Sequence, residues 1–246
     1  MLPAAVEAQA FPLMRGVLEG TQPGTVWSSG ESALVVARFG FMQWLGECDD
    51  DAFFDDIAAR LQRGDPALPG YLLWYDPPPR WMAWCRERTL RERERVRWRF
   101  EAPPERGIAM DRGLRVEGWS PALLPAIEAF GMFPMRFWNS LDDLLEHGAG
   151  MAIVDEQERV IAAAYAAGIG AGQGEIDIAV APDHRGQGLG FLVGRELIRA
   201  FEERGILPAW DCFASNEASM RLAARLGFQP ARRYVMVSFN VPLDIA

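Results

Sequence analysis

A glycine-rich turn is the part of the sequence whose residue types and spacing point most clearly to chemistry. The segment 175–204 predicts a strand, the turn Arg185-Gly186-Gln187-Gly188-Leu189-Gly190 and an amphipathic helix. Glycine lets a backbone approach a ligand closely, and the first amide hydrogens of a helix have no acceptor inside the helix. The turn is therefore predicted to bind an anion, most often a phosphate. The alternative is a strand-to-helix turn that binds no ligand.

Two common nucleotide-binding loops are excluded. A Walker loop requires a lysine, and the chain contains none, so its 25 basic residues are all arginine. A dinucleotide fingerprint requires a third glycine where this chain has Phe191. The missing lysine also excludes Schiff-base and pyridoxal chemistry, because both need that amine.

The turn and the strand before it resemble motif A of the GNAT superfamily of N-acetyltransferases. In that motif, Arg/Gln-x-x-Gly-x-Gly/Ala follows a strand that ends in Val-x-Pro, and Arg185, Gly188 and Gly190 meet the pattern after Val180-Ala181-Pro182. A second stretch, 208–228, resembles motif B of the same superfamily. Its details are similar to those of a bacterial GNAT acetyltransferase subfamily with a divergent N-terminal segment. The resemblance is specific over about residues 150–230.

The resemblance implies acetyl-CoA as cofactor and assigns residues to it. The backbone of Ile178, Ala179 and Val180 is expected to pair with the pantetheine arm, as a strand edge pairs with an extended amide chain. The residues expected around the pyrophosphate are Arg185, Gly186, Gln187, Gly188, Leu189 and Gly190. Asn216 and Ser219 are expected to face the pantetheine end. For Asn216 the residue type also predicts a plain helix N-cap, and for Arg185 the alternative is a surface salt bridge.

Acetyl transfer to an amine needs a neutral amine, and hence a base or a water relay. Glu175 is our first candidate for the base and Asp211 the second; solvation at a strand end or pairing with an arginine is the alternative for each. The acid that GNAT enzymes usually carry is a tyrosine at the position of Ala223. Either Tyr234 or solvent is expected to take its place.

Composition limits the other function classes. The net charge of −9 argues against a general nucleic-acid binder. Cys48, Cys85 and Cys212 lie far apart without a CxxC pair, which suits a reducing cytoplasm and no disulfides. No metal site is expected, because the sequence has only two histidines and no HExxH motif. No signal peptide and no transmembrane helix are predicted.

The expected architecture is α/β with a mixed sheet, in two lobes. Residues 104–246 are predicted to form a GNAT domain, and residues 1–103 a smaller α/β lobe that resembles a degenerate GNAT half. The boundary is placed at Ala102-Pro103-Pro104. A helix is predicted from Trp81 to about Arg93, a loose glycine-rich connection over 168–174, and a last strand over 234–239. The tryptophans of the first lobe are interpreted as core residues, with an acceptor pocket as the alternative. His184 is expected to face solvent.

Taken together, these patterns predict an acetyl-CoA-dependent N-acetyltransferase that acts by direct attack of a primary amine of a small molecule or peptide. No nucleic-acid or membrane partner is expected, and a homodimer is compatible with the sequence. The hypothesis from a different class is a non-catalytic acyl-CoA-binding sensor or scaffold, favoured by Ala223 at the tyrosine position and by the additional lobe.

Overall fold

The computed structural model describes residues 2–102 and 113–239. The helices are α1 (Ala4–Glu7), α2 (Pro12–Glu19), α3 (Asp51–Arg63), α4 (Pro79–Glu87), α5 (Leu124–Ala129), α6 (Leu141–His147), α7 (Leu189–Glu202) and α8 (Glu217–Arg225). The strands are β1 (Gly24–Ser29), β2 (Ser32–Ala37), β3 (Phe41–Leu45), β4 (Leu72–Tyr75), β5 (Arg91–Phe100), β6 (Arg115–Gly118), β7 (Gly150–Val154), β8 (Val160–Gly170), β9 (Gln173–Val180), β10 (Leu207–Phe213) and β11 (Phe228–Phe239).

The strands of these two ranges form one mixed sheet in the order β1-β2-β3-β4-β11-β5-β10-β9-β8-β7-β6. The pairs β3–β4 and β9–β10 are parallel, and the other neighbours are antiparallel. The predicted α/β class with a mixed sheet is therefore confirmed. The predicted boundary between the lobes lies largely in 103–112, outside the described residues. Strand β5, which precedes that boundary in sequence, pairs with both β10 and β11, which follow it.

The parallel pairing of β9 with β10 is short, and an opening in the sheet begins where it ends. It covers only the pairs Leu207 with Gln173, Pro208 with Gly174, and Ala209 with Glu175. Beyond Ala209, β10 stays paired with β5, and β9 stays paired with β8. The two strands consequently separate, and the backbone of β9 from Ile176 to Val180 faces an opening on that side.

Separate hydrophobic clusters pack against the two parts of the sheet. Helix α7 buries Leu192, Val193 and Leu197 against the alanine-rich strand β8 and its neighbours. The first part of the chain has its own aromatic cluster, in which Trp81 packs on Trp74 and Phe54 at ring distances of 4.8 and 4.1 Å. Burying such rings is a large favourable contribution to folding. The interpretation of the N-terminal tryptophans as core residues is confirmed for those that this cluster buries, which are Trp44, Trp74, Trp81 and Trp84.

The helix that was predicted to reach about Arg93 ends at Glu87, so its predicted end was wrong. Thr89 has φ +54°, and the chain then enters β5 at Arg91. The alternating arginines and glutamates of this stretch are polar on both faces, so periodicity alone does not separate a strand from a solvated helix. Antiparallel pairing with β11 decides in favour of the strand, and β11 itself begins at Phe228, earlier than predicted.

The glycines at 168–174 were predicted to form a loose connection, and this was wrong. Gly168 and Gly170 belong to β8 and Gly174 belongs to β9, while Gly172 lies in the turn with φ +71°. A Cβ on Gly168 would lie 2.8 Å from Cα of Leu13. Gly168 and Gly170 have no room for a side chain because α2 packs directly on the backbone of β8, whereas a Cβ on Gly174 would lie 2.6 Å from the ring of Phe201.

Gln22 joins the segment after α2 to an irregularity in β8. The register of β8 against β9 shifts between Ala166 and Gly168. The Gln22 side chain is buried, donates through Nε2 to the carbonyl of Ala167 at 2.9 Å, and accepts through Oε1 from the amide of Ile169 at 2.8 Å. It therefore satisfies two backbone groups that the bulge leaves without ladder partners.

We expect Gln22→Leu to lower the free energy of unfolding by about 2–4 kcal/mol, because two buried backbone groups would lose their partners. Urea denaturation monitored by circular dichroism measures the change. Gln229→Leu, the same substitution at an exposed position of β11, serves as the control and should change stability by less than about 0.5 kcal/mol. Equal effects at both positions would show that the Gln22 bonds contribute nothing specific.

Candidate functional site

The opening between β9 and β10 contains a cavity of about 600 Å³, here called the loop cavity. Its walls are the 176–180 part of β9, the 210–213 part of β10, the glycine-rich turn and the first two turns of α8 with Arg225 beyond them. It contains Ile178, Ala179 and Val180, whose backbone was predicted to receive an extended amide chain. Because β9 has no strand partner there on the β10 side, its free edge is available for such pairing.

The glycine-rich turn lies at one end of the loop cavity. Gly186 and Gly188 have φ +79° and +84°, a backbone conformation that favours glycine. Among the described residues, no acceptor receives the amide hydrogens from Gly186 to Phe191; the first internal bond of α7 runs from the amide of Leu192 to the carbonyl of Gly188. Unpaired amides at the start of a 14-residue helix favour an anion.

The structure places five of the six predicted turn residues in the cavity wall. These are Arg185, Gly186, Gly188, Leu189 and Gly190. Gln187 is exposed instead, and its side chain donates to the carbonyl of Asp183 at 3.3 Å. Its side chain therefore points to a neighbouring loop carbonyl, while its backbone amide stays in the run of unpaired donors.

Two guanidinium groups lie in the same wall. Arg185 donates to the carbonyl of Val180 at 3.4 Å, and Arg225 lies over the ring of Phe191 at 4.9 Å. Neither forms an ion pair with a carboxylate in the part of the chain that the structure describes, so the salt bridge considered for Arg185 is not seen there. Arg225 was missed by sequence reasoning. Its spacing three residues after Leu222 and six after Ser219 puts all three on one helix face, and that spacing was the available signal.

Asn216 and Ser219, which were expected to face the pantetheine end of the cofactor, lie in the cavity wall. Asn216 is also the N-cap of α8, because its side chain accepts from the amide of Ser219 at 3.0 Å. The Ser219 hydroxyl accepts from the indole of Trp210 at 3.1 Å. His184 was expected to face solvent, but it lines the cavity and its Nδ1 is buried without a partner among the described residues. Because His184 is half-buried, it is partly exposed to solvent and partly in the cavity wall, so the expectation was only partly right.

A second cavity of about 390 Å³, here called the aromatic cavity, adjoins the first. The two cavities share five wall residues, Arg95, Ile176, Asp177, Ala179 and Asp211. The remainder of its wall is mainly aromatic, with residues from both ends of the chain: Phe39, Phe41, Tyr75, Phe133, Phe137 and Tyr165. Sequence reasoning did not identify this group, because its members are far apart in sequence and meet only through the sheet order.

Glu175 lies at the point where β9 and β10 separate, and it faces the aromatic cavity. The side chain is buried, Oε1 has no hydrogen-bond partner among the described residues, and the nearest cation is the Arg97 guanidinium at 3.9 Å. Burial raises the pKa of Glu175 to about 7, against the opposing effect of Arg97. A carboxyl with such a pKa can accept a proton near neutral pH.

Asp211 and Tyr234, the other two candidate catalytic residues, lie together. The Tyr234 hydroxyl donates to both carboxylate oxygens of Asp211, at 2.9 and 3.0 Å, and Arg95 forms a buried ion pair with the same carboxylate. Burial raises the pKa of Asp211, while Arg95 and Tyr234 oppose that rise. Burial also raises the pKa of Tyr234 well above 10. Asp211 lines both cavities. Tyr234 lines neither cavity and contacts Asp211 from outside them.

Within 2–102 and 113–239, no group of three or more His, Cys, Asp and Glu residues is arranged to hold a metal ion. None of the helices in these ranges combines the length and the hydrophobicity that a membrane span requires.

The raised pKa of Glu175 makes a prediction about stability. Its carboxyl binds a proton more tightly in the folded than in the unfolded chain, so its stabilising contribution is complete below about pH 4.5 and is lost as the pH rises through about 7. Glu175→Gln removes this dependence. Relative to wild type, the variant should gain up to about 3 kcal/mol in free energy of unfolding between pH 5 and pH 8, at about 1.4 kcal/mol per pKa unit.

Urea denaturation at both pH values measures this gain. The control is Glu202→Gln, at an exposed position of α7, which should run parallel to wild type. A Glu175→Gln curve that also runs parallel to wild type would show that the carboxyl titrates at its ordinary pKa.

The chain is similar in sequence and in fold to known proteins. The family model described as GNAT acetyltransferase matches residues 112–237. The chain is 33% identical over 101 residues to the uncharacterized N-acetyltransferase YdfB of Bacillus subtilis, a match that covers 41% of this chain and 38% of that relative.

Solved structures share the fold along most of the chain. A GCN5-related N-acetyltransferase-like protein from Streptococcus suis has a TM-score of 0.68 at 19% identity, covering 96% of this chain and 92% of that one. A tandem GNAT protein from the clavulanic acid biosynthesis pathway has a TM-score of 0.63 at 13% identity, covering 97% and 96%. Because the family model covers 126 of the 246 residues, just over half of the chain, the chain belongs to the GNAT acetyltransferase family.

Proposed function

We propose that the chain is an acetyl-CoA-dependent N-acetyltransferase that transfers an acetyl group to a primary amine by direct attack. The observation that carries the proposal is the meeting of two cavities where β9 and β10 separate, with the carboxyl of Glu175 beside the junction. One cavity has the chemistry of an anion and amide site. The other offers carboxylates and an apolar wall to an acceptor.

The loop cavity fits coenzyme A by its donor set. The unpaired amides from Gly186 to Phe191 suit the pyrophosphate, and the guanidinium groups of Arg185 and Arg225 add positive charge in the same wall. The free backbone edge of Ile178 to Val180 suits the amides of the pantetheine arm. When bound, acetyl-CoA supplies the thioester carbonyl that an amine attacks.

In this proposal Glu175 removes the proton from the acceptor amine, directly or through one water. The assignment is supported by its position in the aromatic cavity, its unpartnered Oε1 and a pKa of about 7, which matches proton transfer near neutral pH. Asp211 is the second candidate, but its ion pair with Arg95 opposes protonation.

Tyr234 holds Asp211 in place through two hydrogen bonds and lines neither cavity. We therefore assign it a positioning role and leave protonation of the thiolate to solvent. Ala223, at the position of the usual tyrosine, is fully buried and brings no acid to the site. A thiolate of coenzyme A is a fair leaving group, so turnover does not require a dedicated acid.

The first prediction from this proposal concerns cofactor binding. Gly190→Glu places a carboxylate at the start of α7, where a Cβ would lie 3.3 Å from a methyl of Val180 and would need only a small adjustment. We expect the Kd for acetyl-CoA in calorimetry to rise at least tenfold, because the new charge repels the pyrophosphate. Gly70→Glu is the matched control, at an open surface position without a positive φ, and should stay within about twofold of wild type. Equal binding by both variants would remove the loop from the proposed site.

The second prediction concerns the base. At saturating acetyl-CoA, we expect kcat for amine acetylation to rise with pH through about 7 as the Glu175 carboxyl ionises. Glu175→Gln should lower kcat about 100-fold or more and abolish this limb, since a positioned base contributes roughly that factor. Thiol release followed with a chromogenic reagent measures both effects.

Glu202→Gln is the control for that experiment and should keep the wild-type rate and profile. If the pH profile of kcat were unchanged in Glu175→Gln, the base would be Asp211 or water rather than Glu175. Tight acetyl-CoA binding without thiol release across a broad pool of amines would instead favour the non-catalytic sensor or scaffold.

A further inference from the structure

The wall of the aromatic cavity identifies the kind of acceptor it fits. Six rings line it, and five of them form a connected group: Phe39 lies 5.0 Å from Phe137, and Phe41 lies 5.1 Å from Tyr75 in a stacked arrangement. The ring of Phe137 also approaches that of Tyr165, at 6.5 Å. The first part of the chain supplies three of these rings and the second part the other three, so the wall forms only when both parts are folded together.

The carboxyl groups of this cavity are concentrated at the end where it meets the loop cavity. Asp177 and Asp211 belong to the walls of both cavities, and Glu175 lies beside them. Asp211 is neutralised by Arg95, whereas Glu175 is 3.9 Å from its nearest cation and the exposed Asp177 forms no ion pair among the described residues. An ammonium group that entered this end would compensate carboxyls that are incompletely paired.

The part of the wall that the loop cavity does not share contains a cation. Arg136 is exposed, lies over the rings of Phe39 and Phe133 at 5.0 and 4.7 Å, and has no carboxylate partner among the described residues. Apart from the carboxyls and the two arginines, the wall offers apolar and aromatic surface. A second ammonium group on the acceptor would therefore meet the like charge of Arg136, on rings that this guanidinium already covers, and no carboxylate.

The volume also restricts the acceptor. At about 390 Å³, the aromatic cavity lies near the lower end of the range for small-molecule sites, which is about 300–1,000 Å³. From these observations we infer that the acceptor is a small primary amine carried on an aromatic or similarly bulky apolar body. The amine enters the acidic end of the aromatic cavity beside Glu175, and the apolar body packs against the rings. This inference rests on the proposed acetyl transfer and specifies its substrate class.

The test compares three amines at saturating acetyl-CoA, by kcat/KM for thiol release with acetylated product confirmed by mass spectrometry. They are 2-phenylethylamine, ethylamine and spermidine. We expect 2-phenylethylamine to exceed ethylamine at least tenfold, because the two differ only by a ring that the cavity would bury. Spermidine should fall below 2-phenylethylamine by a similar factor.

Two variants connect the preference to the cavity. Phe137→Ala should reduce the ratio of 2-phenylethylamine to ethylamine at least fivefold. Phe100→Ala, a matched ring removal outside the aromatic cavity where Phe100 packs on Phe228 at 5.0 Å, should leave the ratio within twofold. Because the ratio is taken within each variant, a loss of folded protein affects both amines equally and cancels.

The outcomes separate this inference from the proposal beneath it. Ethylamine or spermidine acetylated as well as 2-phenylethylamine would overturn the inference and leave acetyl transfer standing. An unchanged ratio in Phe137→Ala would remove the aromatic cavity from acceptor binding. Thiol release with none of the three amines, although calorimetry shows acetyl-CoA bound, would overturn the transfer and the inference together.

Discussion

The separation of β9 from β10 beyond the Glu175–Ala209 pair is the constraint on which the rest of the site depends. Each strand remains paired on its outer side, so the gap leaves backbone groups without a strand partner only along the two inner edges. The N–H and C=O groups of those edges can bind a ligand because the two strands do not pair with each other there. The same divergence places Glu175 at the apex of the gap, where it is buried by the sheet while facing a cavity.

Electrostatics at this apex depends on arginine alone. Arg95 compensates Asp211 through a direct bond and also donates to the Asp211 carbonyl, whereas Arg97 remains 3.9 Å from Glu175. Two carboxyls on neighbouring strands thereby acquire different properties: one is paired, and the other is left with a pKa of about 7. Such a division between adjacent acidic groups is a common basis for assigning separate roles to them.

Local sequence predicted the parts of the fold and site in which a short segment determines its own conformation. The glycine turn, the helix after it and the cap at Asn216 are of this kind, and so is the mixed α/β class. What could not be predicted arises from packing between distant segments. The turn at Thr89, the strand glycines beneath α2 and the aromatic wall depend on neighbours tens of residues away. The position of β5 between β10 and β11 has no local signature either, because an alternating arginine strand does not specify its partner.

The position of β11 has a consequence for how the chain is made. Strands β1 to β4 join the rest of the sheet through the pairing of Leu72–Tyr75 with 236–239, and those last residues leave the ribosome after all the other described strands. The edge of β4 facing β11 must therefore wait unpaired until β11 has been synthesised, and the two portions of the sheet become one only after that. Long-range closure of this kind is slow relative to local helix formation, so a newly made chain passes through a period in which an apolar strand edge is accessible to chaperones.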